Sequence, residues 1–286
     1  TLVFGLLLSI CLVVIAAGPT VPPSKMDYTA VEGSKLTLRF RKGEGQFRIV
    51  VMKEGSPVST LPVNGTDYNA NASFGTTNTA FNGNDGFVVY ENGGTNTLVT
   101  VSVTNLRPAT TYYISVFEFN GTGAATEYNM VALTGEKATA SAPVSQGSFK
   151  ATTNIVGNSI QLNWNLGGGE RRLVLARKGA PVNATPTDLT SYSADKDFGD
   201  GAVINGDNYV VYAGSLNTSV TVDQLEPNTT YHFALFEYNG NSSPVYMNPP
   251  ATTSCVTNAG PTRASGTISF PTIDGNRLSL NFSRGN

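Results

Sequence analysis

The chain has 286 residues, of which 40% are hydrophobic and 13% are charged, and its formal net charge is −2. A chain of this length can form two domains or more, and its charge shows neither the basic footprint of a nucleic-acid-binding protein nor an acidic tail. Abundant Gly, Thr, Asn and Ser, together with few Lys and Glu, favour an all-β chain over a helical one.

The first eighteen residues, TLVFGLLLSICLVVIAAG, form an apolar run. The run is shorter than the roughly 20 residues that a membrane-spanning helix needs, and its small residues at the end are typical of a secretory signal peptide. We therefore predict a signal peptide over residues 1–18 and an exported mature chain without a membrane span. Its start is expected to be truncated, because neither Met nor basic residues precede the run. A retained anchor helix is the alternative.

Cys255 is the one cysteine beyond the apolar run. A single cysteine cannot form an internal disulfide, so the mature domains are expected to depend on their hydrophobic cores.

Strands are predicted at matched positions in two halves of the chain. Lys35–Phe40 (KLTLRF) and Ser159–Trp164 (SIQLNW) alternate apolar and polar residues, which indicates half-buried strands that each end on an aromatic residue. The next predicted strands are Arg48–Met52 (RIVVM) and Arg172–Ala176 (RLVLA).

A long polar segment follows in each half, over residues 59–86 and 183–207. Each segment has an aromatic pair at matched positions, Tyr68 with Phe74 and Tyr192 with Phe198. Rings on a loop could stack on a sugar, which makes these four residues candidate ligand-binding residues. Because the pairs recur, the interpretation we favour is packing of the segment against a sheet.

Two stretches of 16 residues, Leu106–Gly121 (LRPATTYYISVFEFNG) and Leu225–Gly240 (LEPNTTYHFALFEYNG), are identical at 9 positions. A stretch that recurs within one chain marks a repeated structural unit. Pro108 and Pro227 cannot donate a ladder hydrogen bond, so they are expected in the turn before a strand. The residues after each proline alternate, which predicts strands that begin near the tyrosines.

The shared pattern Leu-x-Pro-x-Thr-x-Tyr resembles the tyrosine corner of the fibronectin type III module. The resemblance extends over residues 25–141 and 143–258 and implies two tandem immunoglobulin-like β-sandwiches, with domain limits at 19–142 and 143–262. In such corners the tyrosine hydroxyl bonds to the chain a few residues upstream. The resemblance also implies structural roles for residues in the two corners and in one core, which are Leu106, Pro108, Tyr112, Trp164, Leu225, Pro227 and Tyr231.

A third copy of the first predicted strands lies near the end of the sequence. Phe270–Phe282 aligns without gaps to Tyr28–Phe40. We therefore predict that residues 263–286 are the truncated start of a third module within a longer protein. Two strands cannot bury a core, so residues 264–286 are expected to be poorly packed or docked on the second module.

Glu118 and Glu237 lie at matched positions, in phase with the predicted core face. A carboxylate that points inward needs a partner, because burying an unpaired charge is costly. Arg48 and Arg172 recur on the neighbouring predicted strand, so we predict the ion pairs Glu118–Arg48 and Glu237–Arg172. The alternative, that the glutamates are general acids, would need a cleft and a second tuned group.

Other chemistry has little support in the sequence. His232 is the only histidine, which excludes a Ser-His-Asp triad in both modules and argues against a Cys/His zinc site. The aspartates Asp195, Asp197, Asp200 and Asp207 could hold calcium, but their spacing does not match the twelve-residue calcium loop, and solvated loop residues are the favoured interpretation. We predict no catalytic residue, no metal and no cofactor.

The repeated stretches end in Phe-Glu-aromatic-Asn-Gly, which resembles a variant of the module found in large bacterial surface proteins. The resemblance implies a secreted or cell-surface modular protein. Its modules are expected to be non-catalytic spacers that contact proteins or glycans, with no nucleic-acid partner. One alternative is that they are accessory modules of a secreted glycan hydrolase or protease whose catalytic domain lies beyond Asn286. Another is a sugar-binding sandwich that uses the long segments.

Overall fold

A computed structural model describes residues 17–260, 263 and 266–285. The predicted signal peptide lies almost entirely outside the described residues. The chain divides into two compact units between Ser141 and Ala142. No helix among the described residues has the length and apolar character to cross a membrane.

The first unit, called module 1 below, consists of two antiparallel sheets. Strands β1, β2 and β5 form the first sheet, and β4, β3 and β6 form the second, in which both β7 and β8 pair with β6. The strands are β1 (Ser24–Val31), β2 (Leu36–Arg41), β3 (Phe47–Glu54), β4 (Phe87–Gly93), β5 (Leu98–Val103), β6 (Thr111–Asn120), β7 (Glu127–Tyr128) and β8 (Leu133–Ala138).

The second unit, module 2, repeats this arrangement. Its sheets are β14-β10-β9 and β12-β13-β11-β15, and both β16 and β17 pair with β15. The strands are β9 (Ser148–Phe149), β10 (Ile160–Asn165), β11 (Arg171–Lys178), β12 (Val203–Ile204), β13 (Asn208–Gly214), β14 (Ser219–Val222), β15 (Thr230–Asn239), β16 (Val245–Tyr246) and β17 (Ala251–Val256). The predicted fold class, an all-β chain of tandem fibronectin type III-like sandwiches, is confirmed.

The main core of each module lies between its two sheets. In module 1 the alternating residues of β2 and β6 face it, and in module 2 those of β10 and β15 do, as period-two alternation requires. Phe40 and Trp164, the aromatic residues that end the predicted strands, are both fully buried there. The sequence pattern therefore located this core from the alternation alone.

A second hydrophobic layer covers the outer face of the larger sheet in each module. In module 1 it contains Ile49, Val51, Phe81 and Phe117, and in module 2 its members include Leu173 and Phe236. The long segment between β3 and β4 contributes Phe81, so part of this polar stretch is core-forming. Strands β3 and β11 are consequently buried on both faces, which explains their continuous apolar runs.

The hairpin near the end consists of β18 (Ser269–Asp274) and β19 (Arg277–Asn281). Its pairing repeats the register of β1 and β2 and one of the two irregularities in that pairing. Its residues are exposed, with Ile273 at 75% and Leu278 at 59%. Its assignment to a third module stays a prediction.

Candidate functional site

The repeated corners connect their tyrosines to the backbone five residues upstream. The Tyr112 hydroxyl accepts a hydrogen bond from Arg107 N at 2.9 Å, and the Tyr231 hydroxyl accepts one from Glu226 N at 3.0 Å. Both rings are buried, and burial raises the pKa of the Tyr112 hydroxyl. Buried polar groups need such partners, so the corner fixes the entry of β6 and β15 into the sheet.

Two threonines that the sequence analysis did not single out reinforce the corners. Thr139 Oγ1 accepts from Thr110 N at 3.0 Å and donates to Arg107 O at 2.6 Å. Thr257 makes the same two contacts with Thr229 N and Glu226 O. The two threonines lie at different distances from their corner tyrosines, so the structure was needed to show that their positions are equivalent.

In module 1 the structure brings Glu118 and Arg48 together at directly opposed positions of β6 and β3. Arg48 Nε lies 3.3 Å from Glu118 Oε1, and both side chains are buried. Gly43 N also donates to this carboxylate at 2.9 Å, and Arg48 donates to Gly45 O at 3.2 Å. The pair therefore holds the loop between β2 and β3.

Module 2 has the same arrangement. Arg172 Nε lies 3.2 Å from Glu237 Oε1, and Gly167 N and Gly169 N donate to the carboxylate at 2.8 and 3.1 Å. A Cβ on Gly169 would lie 2.6 Å from Glu237 Oε2, so the loop needs glycine there. Both glutamates pair with an arginine and accept backbone hydrogen bonds from a loop, which is a structural role, and Glu118 Oε2 is the carboxylate oxygen without a hydrogen-bond partner among the described residues.

A further ion pair recurs on the outer face. Lys53 Nζ lies 2.5 Å from Asp85 Oδ1, and Arg177 Nε lies 3.0 Å from Asp207 Oδ1. Asp85 also accepts from Ser59 N at 2.7 Å and Thr60 N at 2.6 Å. Asp85 and Asp207 therefore form ion pairs with basic side chains. In module 1 the aspartate also attaches the long segment to β3.

Among the other aspartates, Asp197 Oδ1 lies 2.9 Å from Lys196 Nζ. The hydrogen bonds from Lys196 and then Gln224 lower the pKa of Asp197, and Asp195 accepts from Asp197 N at 3.0 Å. No group of three His, Cys, Asp or Glu side chains that could hold a metal occurs in the part of the chain that the structure describes. Asp195 and Asp197 therefore make local contacts, and the absence of a metal stays a prediction.

Phe74 and Phe198 pack on the corner tyrosines. The Phe74 and Tyr112 ring centroids are 5.1 Å apart at 79°, and those of Phe198 and Tyr231 are 5.0 Å apart at 78°. Such edge-to-face contacts are favourable. They place both rings against the main cores, in agreement with the packing role favoured from the sequence, and ligand binding by Phe74 and Phe198 stays a prediction.

Tyr68 and Tyr192 lie on the outer face, and each closes a turn within its long segment. The Tyr68 hydroxyl accepts from Val63 N at 3.1 Å, and the Tyr192 hydroxyl accepts from Thr187 N at 3.1 Å. The spacing of five residues is the same as in the corners. Both rings are half-buried, so each keeps part of its surface open to solvent.

Each of these tyrosines lines a cavity beside the end of β6 or β15. The module 1 recess has a volume of about 270 Å³ and the module 2 recess about 180 Å³. The two recesses use equivalent positions, which are Phe47 and Arg171, Asp67 and Ser191, Tyr68 and Tyr192, Glu91 and Ala213, Phe119 and Tyr238, and Thr122 and Asn241. Two of the three aromatic positions are thus retained, whereas Arg171 stands where module 1 has Phe47 and the two carboxylates are absent from the module 2 lining.

His232 lies on β15, opposite Arg177 and Ser254 of the neighbouring strands. It lines a separate cavity of about 240 Å³ with Pro181 and Thr252. The equivalent position in module 1 is Tyr113, in a cavity of about 360 Å³. His232 is therefore a half-buried strand residue at the edge of a shallow outer-face cavity.

No protein-family model matches the sequence, and no curated protein matches it. Among solved structures, the chain is similar to a segment of two fibronectin type III domains from chicken tenascin, with 14% identity over 82% of this chain and 99% of that one and a TM-score of 0.28. It is similar to the FN1–FN3 domains of chicken CNTN1, with 16% identity over 85% and 69% and a TM-score of 0.33. A fibronectin type III domain from human KIAA0970 protein matches with 18% identity over 44% and 87% and a TM-score of 0.26.

Proposed function

We propose that residues 19–142 and 143–262 are two non-catalytic modules of a secreted or cell-surface protein, which act as spacers and contact a protein or glycan through the two recesses. Export is supported by the apolar start of the sequence and by small residues at its end. The observation that carries the contact role is the repetition of a half-open, aromatic-lined recess at equivalent positions.

The distribution of buried polar groups supports a non-catalytic role. The buried charged pairs Arg48–Glu118 and Arg172–Glu237 hold loops, and the corner tyrosines bond to backbone. Catalysis needs a tuned acid, base or nucleophile with access to substrate. The recesses instead offer ring surface with a few polar groups, which is the usual composition of a binding site.

A binding array tests the proposal. The full chain is applied to immobilised glycans and matrix proteins beside two variants that fill the recesses, Thr122→Trp in module 1 and Ser191→Trp in module 2. Both positions are exposed, so the fold should tolerate the larger side chain. Loss of a partner from one filled variant assigns the contact to that recess.

Thr100→Trp is the matched control, because Thr100 is exposed on β5 of the other sheet. The contact role fails if both recess variants bind every partner as strongly as this control does. If the unmodified chain binds nothing in the array, the modules act as spacers alone.

A further inference from the structure

The module 1 recess carries two carboxylates where the module 2 recess carries none. Asp67 and Glu91 line the first, and Ser191 and Ala213 occupy the equivalent positions of the second. Within the described part of the chain, no Lys or Arg forms an ion pair with Asp67 or Glu91. The recess therefore has a negative potential that the protein itself does not neutralise.

The titration of neighbouring groups agrees with this potential. Desolvation by the neighbouring groups and then the charge of Asp67 raise the pKa of Glu91. Burial raises the pKa of Tyr128, and the nearby Tyr68, Asp67 and Glu91 raise it further. A positive charge in the recess would relieve both effects, because opposite charges favour the ionised form of an acid.

The walls of the recess are aromatic. Phe47 and Phe119 are stacked with ring centroids 5.3 Å apart and an interplanar angle of 22°. The Tyr68 ring lies against Phe81, with centroids 5.0 Å apart. Aromatic faces attract cations and also accept apolar chain.

Asp67 and Tyr68 already have hydrogen-bond partners within the protein, and Asn69 and Thr122 are the other uncharged polar residues that line the recess. Asp67 already accepts from Gly123 N at 2.8 Å and from the Thr126 hydroxyl. The Tyr68 hydroxyl accepts from Val63 N at 3.1 Å and donates to Asn82 at 2.6 Å. Because Asp67 and Glu91 lack a basic partner among the described residues, a ligand with an apolar stem and a single positive charge fits these surroundings better than a neutral sugar ring does.

We propose that the module 1 recess binds the side chain of a lysine presented by a partner protein. The four-carbon stem would lie along Phe47, Phe119 and Tyr68, and the ammonium group would pair with Glu91 and Asp67. This assignment rests on the proposed contact role and names its partner chemistry for one module. Arg171 and Ala213 give the module 2 recess the opposite preference.

Nuclear magnetic resonance titration of the ¹⁵N-labelled full chain tests the assignment. The probe is Nα-acetyl-lysine amide, with Nα-acetyl-norleucine amide as the uncharged comparison and glucosamine as the amino-sugar comparison. We expect lysine amide to shift the amide signals of Tyr68 and Glu91 with a Kd on the order of millimolar. Norleucine amide should bind the unmodified chain about tenfold more weakly than lysine amide does. Lysine amide should bind the Glu91→Gln variant about tenfold more weakly than the unmodified chain, since charge-assisted hydrogen bonds are the stronger ones.

Two controls accompany the titration. Glu136→Gln removes a carboxylate that lines a different cavity of module 1 and should leave the lysine affinity unchanged. Signals of Tyr192 and Ala213 report the module 2 recess and should not shift. Glu91 is exposed, so its variant is expected to remain folded, which the dispersion of its amide spectrum shows.

The assignment is overturned if norleucine amide binds as well as lysine amide, if glucosamine binds more tightly, or if Glu91→Gln binds lysine amide with the original affinity. Failure here is distinct from failure of the contact role. If Thr122→Trp still loses an array partner that contains no accessible lysine, the recess is a contact site of another chemistry. If lysine amide binds but no array partner depends on either recess, the contact role fails instead.

Discussion

At the scale of single residues, we predict that the buried Glu237–Arg172 pair contributes strongly to the stability of module 2. Glu237→Ala would leave the Arg172 guanidinium buried without its counter-charge and Gly167 N and Gly169 N without their acceptor. We expect the free energy of unfolding of module 2 to fall by about 3–5 kcal/mol, the usual cost of breaking a buried pair. Urea unfolding measures this change.

Glu226→Ala is the matched control for that variant. Glu226 also pairs with a basic residue of module 2, Lys178, but its side chain is 63% exposed. Exposed pairs contribute little, so its unfolding midpoint should stay near that of the unmodified chain. Equal losses in the two variants would contradict the structural role assigned to the buried pair.

The sequence predicted both partners of these pairs because glutamate and arginine recur on opposite strands at core-facing positions. It did not predict the glycines that complete them. Gly45 and Gly169 are required because their hydrogen atoms face the carboxylate directly, and a Cβ would lie 2.5 and 2.6 Å from an oxygen. Such a requirement depends on the path of the loop between β2 and β3 or between β10 and β11, which no periodic pattern in the sequence specifies.

At the scale of elements, the long segment of module 1 is expected to stabilise the fold as a core element does. Phe81 is completely buried against the outer face of the sheet. Phe81→Ala should therefore lower the free energy of unfolding by about 3–5 kcal/mol. Leu61→Ala is the control on the same segment, since Leu61 is 52% exposed.

Urea unfolding followed by circular dichroism compares the Phe81 and Leu61 variants. If Phe81→Ala costs no more than Leu61→Ala, the segment is only a surface loop. The distinction matters because the sequence shows residues 59–86 as polar. The contrary indication was in β3 and β11, whose unbroken apolar runs imply burial on two faces.

The attachment of this segment at Asp85 should depend on pH. Burial alone would raise the pKa of Asp85, but hydrogen bonds from Lys53, Thr60 and Ser59 outweigh it and hold the pKa well below its usual value of 3.8. A carboxylate whose pKa is lowered by folding contributes stability above its unfolded pKa and loses that contribution as the pH falls through the folded value.

The measurement is the difference in unfolding free energy between the unmodified chain and Asp85→Asn across pH 2–7. We expect the difference to be largest above a pH of about 4 and to shrink steadily below it. The subtraction removes the other carboxylates, which titrate alike in both proteins. A difference that stays constant from pH 7 to 2 would show that Asp85 does not stabilise the fold through its charge.

At the scale of the whole molecule, each module has its own main core and its own outer layer. Trp164 is the only tryptophan and is fully buried in the core of module 2. We expect Glu118→Ala to lower the unfolding midpoint seen by circular dichroism without moving the midpoint seen by tryptophan fluorescence. Glu237→Ala should move both.

The two probes therefore separate the modules without cutting the chain. A fluorescence midpoint that moves equally in both variants would show a single cooperative transition and would contradict separate stabilities.

The repeated pattern predicted two sandwiches because strands, corners and ion pairs recur in the same order. It could not predict the recesses, which depend on how residues distant in sequence meet on the outer face.

The hairpin β18–β19 has the same register as β1–β2 and one of its two irregularities, although no sandwich surrounds the hairpin among the described residues. The register is thus encoded by the two strands and the turn between them. During synthesis, such a hairpin can form as soon as it leaves the ribosome. In module 1 the apolar residues of β1–β2 then stay uncovered until β3 to β6 are made, so the delay between those events sets how long a nascent module is exposed to aggregation.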